Sequence, residues 1–388
     1  MTADVVVLGS GYAGTGAVKR LEGELDDGAD LTWVSDVDHH LVLHEAHRLI
    51  RDPSIAETIT FDVADVKAPD TRFVQGRVTD IDAADRTVTL ADDATIPYDY
   101  LLVGIGSRTA FFGIDGLRTH ALPLKSLEDA LDIHEAVVAA AREASRADPA
   151  QVVVGGAGLS GIQSAGEVAA YRDGHRAPIE VHLVEGLDDV LPHSDPAVQS
   201  KLRALLEDRD VEIHTGEFVG GVDADTVYVG EDAELPYDVL VWTGGITGRE
   251  AAERVDVEAD ERSHRLEAAA DFRTSDDRIF AVGDAALVEQ ADTDHPAPPT
   301  AQAAWQAAEV AGGNIARAIR DQSLREWEYD DKGTLISVGD DAVAHAVTGV
   351  PVDTFGGYAA RALKKTVAAR WIRTVNGFAD AAKAFPDM

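Results

Sequence analysis

The sequence predicts an α/β chain built on two copies of one strand–loop–helix unit, followed by a small C-terminal region. Three observations carry this. The pattern Gly-x-Gly-x-x-Gly occurs twice, each time directly after an apolar run. Val5-Val6-Val7-Leu8 precedes Gly9, Gly11 and Gly14, and Val152-Val153-Val154 precedes Gly156, Gly158 and Gly161. A second apolar run follows each copy, at residues 31–34 and 179–184. An apolar run ending in small residues also recurs, as Tyr100-Leu101-Leu102-Val103-Gly104-Ile105-Gly106 and as Val239-Leu240-Val241-Trp242-Thr243-Gly244-Gly245. Short continuous apolar runs bounded by glycine read as strands buried on both faces, as in a parallel sheet covered by helices.

In each copy the first glycine permits a tight turn, and the second lets the backbone approach a pyrophosphate. The third lets the following helix pack closely on the strand. The diphosphate would sit at the helix N-terminus, where unpaired N–H groups and the helix dipole favour negative charge. Two Rossmann-like dinucleotide-binding units are therefore expected. An acid about 20 residues further on holds the ribose hydroxyls in such units. In the second copy Glu185 stands in that place, and its charge disfavours a 2′-phosphate, so NAD is expected over NADP. In the first copy the strand ends Thr32-Trp33-Val34-Ser35-Asp36. Either Asp36 reaches the ribose after a one-residue shift, or Ser35 makes a weaker contact.

The remaining elements follow from pattern. Residues 72–106 alternate like antiparallel strands through Phe73-Val74, Val78, Ile81, Val88 and Leu90. Residues 211–213, 227–229 and 239–242 repeat the theme. Residues 128–147 read as a helix closed by Pro149. Residues 292–299 are a Pro/Asp-rich loop before an Ala-rich helix over 300–319. Asp330-Asp331-Lys332-Gly333 has the composition of a hairpin turn. The tail from Tyr358 onward is helical in composition.

Composition narrows the function. The 388 residues carry 70 acids against 34 bases, a formal net charge of −36, yet 45% are apolar. This is a globular chain with a heavily acidic surface, suited to a halophilic cytoplasm where salt screens self-repulsion. Nucleic acid is excluded as a partner by repulsion from its phosphates. Cysteine is absent, which removes disulfides, thiolate nucleophiles, Cys-ligated zinc and iron–sulfur clusters. No run of 18 apolar residues suggests a transmembrane helix, and the N-terminus reads as a strand rather than a signal peptide.

Ile279-Phe280-Ala281-Val282-Gly283-Asp284 is a further strand ending in Gly-Asp. The backbone there can approach a flavin, and Asp284 can accept hydrogen bonds from ribityl hydroxyls; the alternative is an ordinary helix N-cap. With these residues assembled, the chain resembles the two-dinucleotide-binding-domain flavoproteins, also called pyridine nucleotide-disulfide oxidoreductases, over roughly residues 4–350. Within them it looks most like the type II NADH dehydrogenases, single-subunit NADH:quinone oxidoreductases, in a haloarchaeal-like form. Phe112-Gly113-Ile114-Asp115-Gly116, Leu124-Lys125-Ser126-Leu127-Glu128, Ile213-His214-Thr215-Gly216 and Thr300-Ala301-Gln302-Ala303-Ala304-Trp305-Gln306 carry the narrower match.

The resemblance implies FAD and NADH as cofactors. Hydride would pass from NADH to flavin N5 and two electrons onward to a membrane quinone, without proton pumping. It adds Val78, Gly106, Lys125, Ala301, Gln302 and Gly244 to the residues expected around the cofactors, and places Gln302 and Gln306 at the quinone site. The family's Gly-Val-Glu triplet is here Gly161-Ile162-Gln163, so Gln163 stands where a carboxylate is usual and cannot act as a base. A proton route would then need another group or water. The missing thiols exclude the disulfide reductases, the cysteine-dependent peroxide enzymes and the sulfide:quinone branch. A soluble NADH-dependent reductase of a ferredoxin-like protein or small acceptor remains open, as does a non-enzymatic NADH/FAD redox sensor.

The histidines His39, His40, His44 and His47 invite a zinc reading. The resemblance favours packing around FAD instead, with His40-Leu41 matching the family's His-Leu pair, so no metal is expected. Over residues 358–388 six bases face two acids, a local +4 on a body of −40. Leu363, Val367 and Trp371 recur at helical spacing, and a basic, Trp-bearing amphipathic segment reads as a membrane-surface anchor. The alternative is a helix packed on its own chain or on a second subunit of a homodimer. The expected organisation is an FAD-binding domain from residues 1–117 and 247–325, an NAD-binding domain at 118–246, and a C-terminal region at 326–388. The expected location is the cytoplasm, at the inner face of the cell membrane.

Overall fold

A computed structural model describes residues 2–387 except 26, 27, 292 and 294. Two parallel sheets dominate. Nine strands matter for the site: β1 (Ala3–Leu8), β2 (Ala29–Ser35), β3 (Arg72–Gln75), β4 (Tyr100–Val103), β5 (Ala150–Gly155), β6 (Ile179–Glu185), β7 (Val211–Thr215), β8 (Val239–Trp242) and β9 (Ile279–Ala281). The first sheet runs β9-β4-β1-β2-β3, and the second runs from the two-residue strand Leu122–Pro123 through β8-β5-β6-β7. Every pairing within these two sheets is parallel. The first sheet therefore recruits its last strand from far down the chain, after the second sheet is complete. An antiparallel pair, Ser107–Thr109 with Ile246–Gly248, joins the two halves where the chain leaves and returns.

The antiparallel expectation needs correction at its ends. Phe73-Val74 and residues 100–103 belong to the parallel sheet, as do 211–213 and 239–242. Residues 100–103 and 239–242 are buried on both faces, so alternation was not the relevant signal there, whereas the strands at 72–75 and 211–215 are sheet edges that expose Arg72, Gln75 and Glu212. Antiparallel meanders form at strands 78–82, 87–90 and 95–97, at 219–222, 226–229 and 233–236, and in the C-terminal region at 334–338, 341–345 and 354–356.

Five helices bear on function: α1 (Tyr12–Glu24), α2 (Leu127–Glu143), α3 (Leu159–His175), α4 (Ala301–Ile319) and α5 (Tyr358–Asn376). Ser126 caps α2 by accepting from the Asp129 N–H, and Thr300 caps α4 by accepting from the Ala303 N–H. Each such cap contributes about 1 kcal/mol. Of the Pro/Asp-rich loop over 292–299, Asp292 and Asp294 lie outside the described residues. Residues 330–333 form no hairpin; they lead into the strand Thr334–Val338, and the hairpin turns instead at Gly339-Asp340, with Gly339 at φ +56°.

The tail also differs from its expected orientation. Helix α5 buries Lys364, Ala368, Trp371, Ile372 and Val375, and Trp371 is only 1% exposed. Its indole packs against Tyr12 at 4.7 Å and Trp305 at 4.8 Å between ring centres. The spacings 364, 368, 371/372 and 375 are a helical stripe facing the body. The stripe through Leu363 and Val367 was therefore the wrong one for Trp371, and Ile372, which it left out, belongs with the buried set. Burial of an indole and an Ile contributes several kcal/mol, on the order of 2–3 each, so α5 is held by its own chain. Its outward side carries Arg361, Arg370 and Arg373, and Tyr358 and Phe378 stand exposed at its two ends. Among the described residues no helix is long and apolar enough to cross a membrane.

Candidate functional site

A cleft of about 1090 Å³ opens along the first glycine loop and reaches the start of α3. The loop's shape follows from three glycines. Gly9 has φ +98°, a conformation that side-chain-bearing residues rarely take, and a Cβ added there would lie 2.3 Å from the Gly104 carbonyl oxygen. A Cβ on Gly14 would lie 1.9 Å from the Gly9 carbonyl oxygen, so α1 can pack this closely only with glycine. At Gly11, by contrast, a Cβ would meet nothing within 4 Å. Gly11 caps α1 and lines the cleft, with the first-turn N–H groups beyond it.

The cleft wall brings together most of the residues expected for the first nucleotide. Gly9, Gly11, Ser35, Asp36, Val78, Gly106, Lys125, Asp284 and Ala301 all line it. Gly14 lies behind the loop. Ser35 is buried, and its hydroxyl bonds the Ser10 hydroxyl at 2.9 Å. Asp36 stands half-exposed, 3.4 Å from the Arg249 guanidinium. Asp284 is not an N-cap. Its Oδ2 accepts from Ser107 Oγ at 3.0 Å and from Lys125 Nζ at 3.1 Å, and Thr300 caps the helix that follows.

His40 sits behind the loop, fully buried. Its Nδ1–H donates to the Ser10 carbonyl at 2.7 Å, and its Nε2 accepts from the Trp371 indole N–H at 2.8 Å. Both ring nitrogens are satisfied in the neutral form, and burial pushes the imidazole down to about 4. His40 thus ties the first loop to α5. Its neighbour His44 lines the cleft. The Tyr12 hydroxyl, kept protonated by burial and by the nearby Glu45 charge, donates to His44 Nδ1. The proton of neutral His44 is then on Nε2, a buried atom with no hydrogen-bond partner.

The second glycine loop repeats the skeleton. Gly156 has φ +91°, Gly158 caps α3 with no atom near an added Cβ, and a Cβ on Gly161 would lie 1.7 Å from the Gly156 carbonyl oxygen. Gly244 packs against the loop, with its Cα 2.6 Å from where a Gly156 Cβ would stand. Glu185 turns toward its own loop: Oε2 accepts from the Ala157 N–H at 2.7 Å and Oε1 from the Leu187 N–H at 3.0 Å.

Gln163, 8% exposed, projects from α3 to the cleft and accepts from Ser337 Oγ at 3.2 Å. Behind it lies a buried polar group that the sequence did not reveal. Lys364 Nζ is 2.8 Å from Ser337 Oγ, 3.2 Å from Glu45 Oε1 and 3.3 Å from His47 Nε2. Burial pushes Glu45 up, but the neighbouring charges, that of Lys364 above all with Arg48 beside it, outweigh it and hold the carboxyl below its usual range. Burial, then the Lys364 charge, pushes His47 well down. Lys364 lines both the main cleft and a second cavity of about 240 Å³ walled by Arg48, Arg51, Glu167 and Asp340. No sequence signal marked it, because Lys364 is one of several bases in the tail and only the packing of α5 shows that it faces inward.

Gln302 and Gln306 are placed differently from Gln163. Both stand on α4 but turn to the segment at 329–333. Gln302 donates to the Tyr329 hydroxyl at 2.8 Å and accepts from the Lys332 N–H at 2.9 Å, and Gln306 makes two bonds to the Asp330 backbone. The four histidines at 39–47 do not converge as ligands would; among the described residues that arrangement occurs at His182, Glu212 and His214.

The family model described as pyridine nucleotide-disulphide oxidoreductase matches residues 3–308. A type II NADH:quinone oxidoreductase of Staphylococcus aureus is 27% identical over 392 residues, with 96% of each chain covered. Among solved structures, NDH2 from Plasmodium falciparum in complex with NADH superposes with a TM-score of 0.86 at 16% identity, covering 100% of this chain and 98% of its own. The sulfide:quinone oxidoreductase from Aquifex aeolicus superposes at 0.80 with 20% identity, covering 97% and 92%. At these identities the structural matches show a shared fold.

Proposed function

The chain belongs to the pyridine nucleotide-disulphide oxidoreductase family, and from that premise we propose that it oxidises NADH through bound FAD and reduces a quinone. The cleft that runs from the first glycine loop to Gln163 at the start of the second unit carries this reading. The similarity to a type II NADH:quinone oxidoreductase along 96% of the chain supports it. With no cysteine anywhere in the sequence, no thiol relay is available, and electrons must pass directly between cofactors and acceptor.

The cleft fits FAD. The N-terminus of α1 would receive the diphosphate at Gly11, where an added Cβ has open space. Asp36 has its carboxylate on the lining for the ribose, whereas the Ser35 hydroxyl is already engaged. Asp284, held by Ser107 and Lys125, presents a carboxylate to the ribityl chain. Bound FAD supplies the capacity to accept hydride from NADH and to release two electrons to a quinone. Residues 1–117 and 247–325 would hold it, and 118–246 would hold NADH, with Glu185 on the ribose.

Reducing a quinone to a quinol with NADH consumes one proton beyond the hydride, and Gln163 cannot carry it. In this reading Lys364 Nζ holds the proton, and Ser337 Oγ links it to the Gln163 side of the cleft. Glu45 stabilises the Lys364 charge, and His44, which lines the cleft with its Nε2 3.6 Å from Glu45 Oε1, would offer its Nε2–H to the bound group. Gln302 and Gln306 act one step back, by fixing the 329–333 segment against α4. The enzyme pumps no protons in this scheme. Attachment to the inner face of the cell membrane would use the exposed Arg361, Arg370 and Arg373 with Tyr358 and Phe378, rather than the buried Trp371.

Steady-state NADH oxidation by FAD-loaded protein in high salt, with menaquinone analogues, a ferredoxin and oxygen in parallel, tests the reading. Quinone turnover should exceed the other two at least tenfold. Lys364→Met should slow quinone reduction while leaving flavin reduction by NADH unchanged. Purified protein that is colourless and takes up no FAD would overturn the proposal. Binding to anionic vesicles that is unchanged in Tyr358→Ser/Phe378→Ser would remove the membrane part alone.

A further inference from the structure

The β7 edge of the second sheet carries a cluster that the redox reading does not use. Strands β6 and β7 run side by side in parallel, with His182 opposite Glu212 and Val184 opposite His214. Side chains at paired positions, and two residues along, share a face of the sheet. His182, Glu212 and His214 are therefore neighbours by register. His182 Nδ1 lies 3.2 Å from His214 Nε2 and 3.5 Å from Glu212 Oε2, and His214 Nε2 lies 3.6 Å from Glu212 Oε1.

We propose that His182, Glu212 and His214 form a binding site for a divalent first-row metal ion, with Zn²⁺ the ion best suited. Imidazole nitrogens and carboxylate oxygens bind zinc at about 2.0–2.2 Å, and tetrahedral geometry then separates neighbouring ligand atoms by about 3.3–3.6 Å. The three observed separations fall on or beside that range. The two histidines face different oxygens of Glu212, so a turn of that carboxylate brings one oxygen and the two imidazole nitrogens around a single ion. The Glu212 side chain is 65% exposed, so water can reach the fourth position.

The protonation state needed for binding is set by a neighbour. The Gln151 amide nitrogen donates to the Pro149 carbonyl and to Glu180 Oε2, both at 3.0 Å. Its oxygen is thereby turned to His182 Nε2, 2.8 Å away. That oxygen can only accept, so the His182 proton sits on Nε2 and Nδ1 offers its lone pair to the cluster. An amide that orients a ligating imidazole from behind is the outer-shell arrangement that metal sites use.

The site would act as a clip. Strand β7 is the edge of the second sheet, and a shared ion would fasten it to β6. His182 lies three residues before Glu185, whose carboxylate braces the second glycine loop. The proposal does not depend on FAD, NADH or a quinone.

The test uses untagged full-length protein, stripped with chelator, in concentrated KCl with excess Mg²⁺ to occupy the acidic surface. Calorimetry with Zn²⁺ should show one equivalent bound, and Co²⁺ should give the intense visible absorption of a tetrahedral site. Zn²⁺ should raise the thermal midpoint. His214→Asn and Glu212→Gln, both at accessible positions, should each weaken Zn²⁺ binding at least tenfold, and Gln151→Leu by about 10–100-fold. His120→Asn, outside the cluster, should change nothing. Absence of stoichiometric binding, or binding unaltered in both His214→Asn and Glu212→Gln, would overturn the site whatever the outcome of the quinone assay.

Discussion

The two glycine loops share one backbone and differ in what braces them. Gly9 and Gly156 have φ of +98° and +91°, and the close approaches at Gly14 and Gly161 agree to 0.2 Å. Behind the first loop, Trp33 Nε1 donates to the Gly9 carbonyl, Ser35 bonds Ser10, and His40 joins Ser10 to Trp371 of α5. Behind the second, a single carboxylate, Glu185, takes the loop N–H of Ala157, and Thr243 Oγ1 reaches the Gly155 and Gly156 carbonyls. The first loop is locked by neutral groups of its own unit and, through His40, by one distant tie to Trp371 of α5. The second is held by residues of its own unit. A loop for a resident cofactor gains from being fixed, whereas one for a substrate must release it.

The sharpest way to break the symmetry is at the third glycine. In Gly14→Ala the new Cβ collides with the Gly9 carbonyl, and the whole first unit must shift. We expect apoprotein without flavin and a stability loss of at least ~3 kcal/mol, read by flavin absorbance and chemical denaturation. In Gly161→Ala the same collision falls on the second loop. Flavin content should stay near wild type, while NADH reduces the flavin at least a hundredfold more slowly in stopped flow. Equal loss of flavin in both variants would contradict the division of roles.

The second difference is in pH response. His40 is held neutral, with a value of about 4 in the folded chain against 6.5 when exposed. The unfolded state therefore binds more protons between these values. The full native stability is present above pH 6.5 and is lost as the pH falls toward 4, by about 3 kcal/mol at 1.36 kcal/mol per unit. Denaturation curves at fixed high salt should show that slope. Trp371→Phe, which removes the indole N–H from His40 Nε2, should loosen the first loop and lower flavin affinity, with NADH affinity unchanged.

Glu185 gives a smaller effect. Glu185→Gln keeps an oxygen for the Ala157 N–H but removes the charge expected on the ribose. Hydrogen bonds to charged groups contribute about 1.5–3 kcal/mol, so kcat/KM for NADH should fall about 10–100-fold. Discrimination against NADPH should narrow, as paired kinetics would show.

Much of this was legible in sequence because it is local. A glycine loop is a turn, a strand and a helix start within ten residues, so both copies, Asp284 and the capped helices at 127 and 301 could be read directly. What could not be read depends on contacts across the chain. Lys364 meets Glu45, His47 and Ser337 only because α5 packs behind the first loop, and nothing in the local pattern of the tail says which stripe faces inward. Gln302 and Gln306 sit in a recognisable motif, yet their direction is set by Tyr329 and Asp330. The pair His182 and His214 needs the register of two strands separated by a helix.

The finest distinction concerns the ribose position of the first unit, where the sequence left Ser35 and Asp36 as alternatives. The geometry separates their roles. Ser35 Oγ is buried against Ser10 and accepts from the Val37 N–H at 3.3 Å, so it shapes the strand end. Asp36 keeps its carboxylate on the cleft, with only a long, half-exposed contact to Arg249. Such a surface ion pair contributes about 1 kcal/mol or less and can yield to better donors such as a pair of hydroxyls. Asp36→Asn should therefore weaken FAD binding about tenfold, the equivalent of about 1.4 kcal/mol. Ser35→Ala should leave FAD affinity within about threefold and instead lower stability by about 1 kcal/mol, the usual worth of one buried hydrogen bond. Equilibrium flavin titration of both variants, beside their denaturation midpoints, separates the two outcomes; the reverse ranking would return the ribose contact to Ser35 and leave Asp36 as a surface charge.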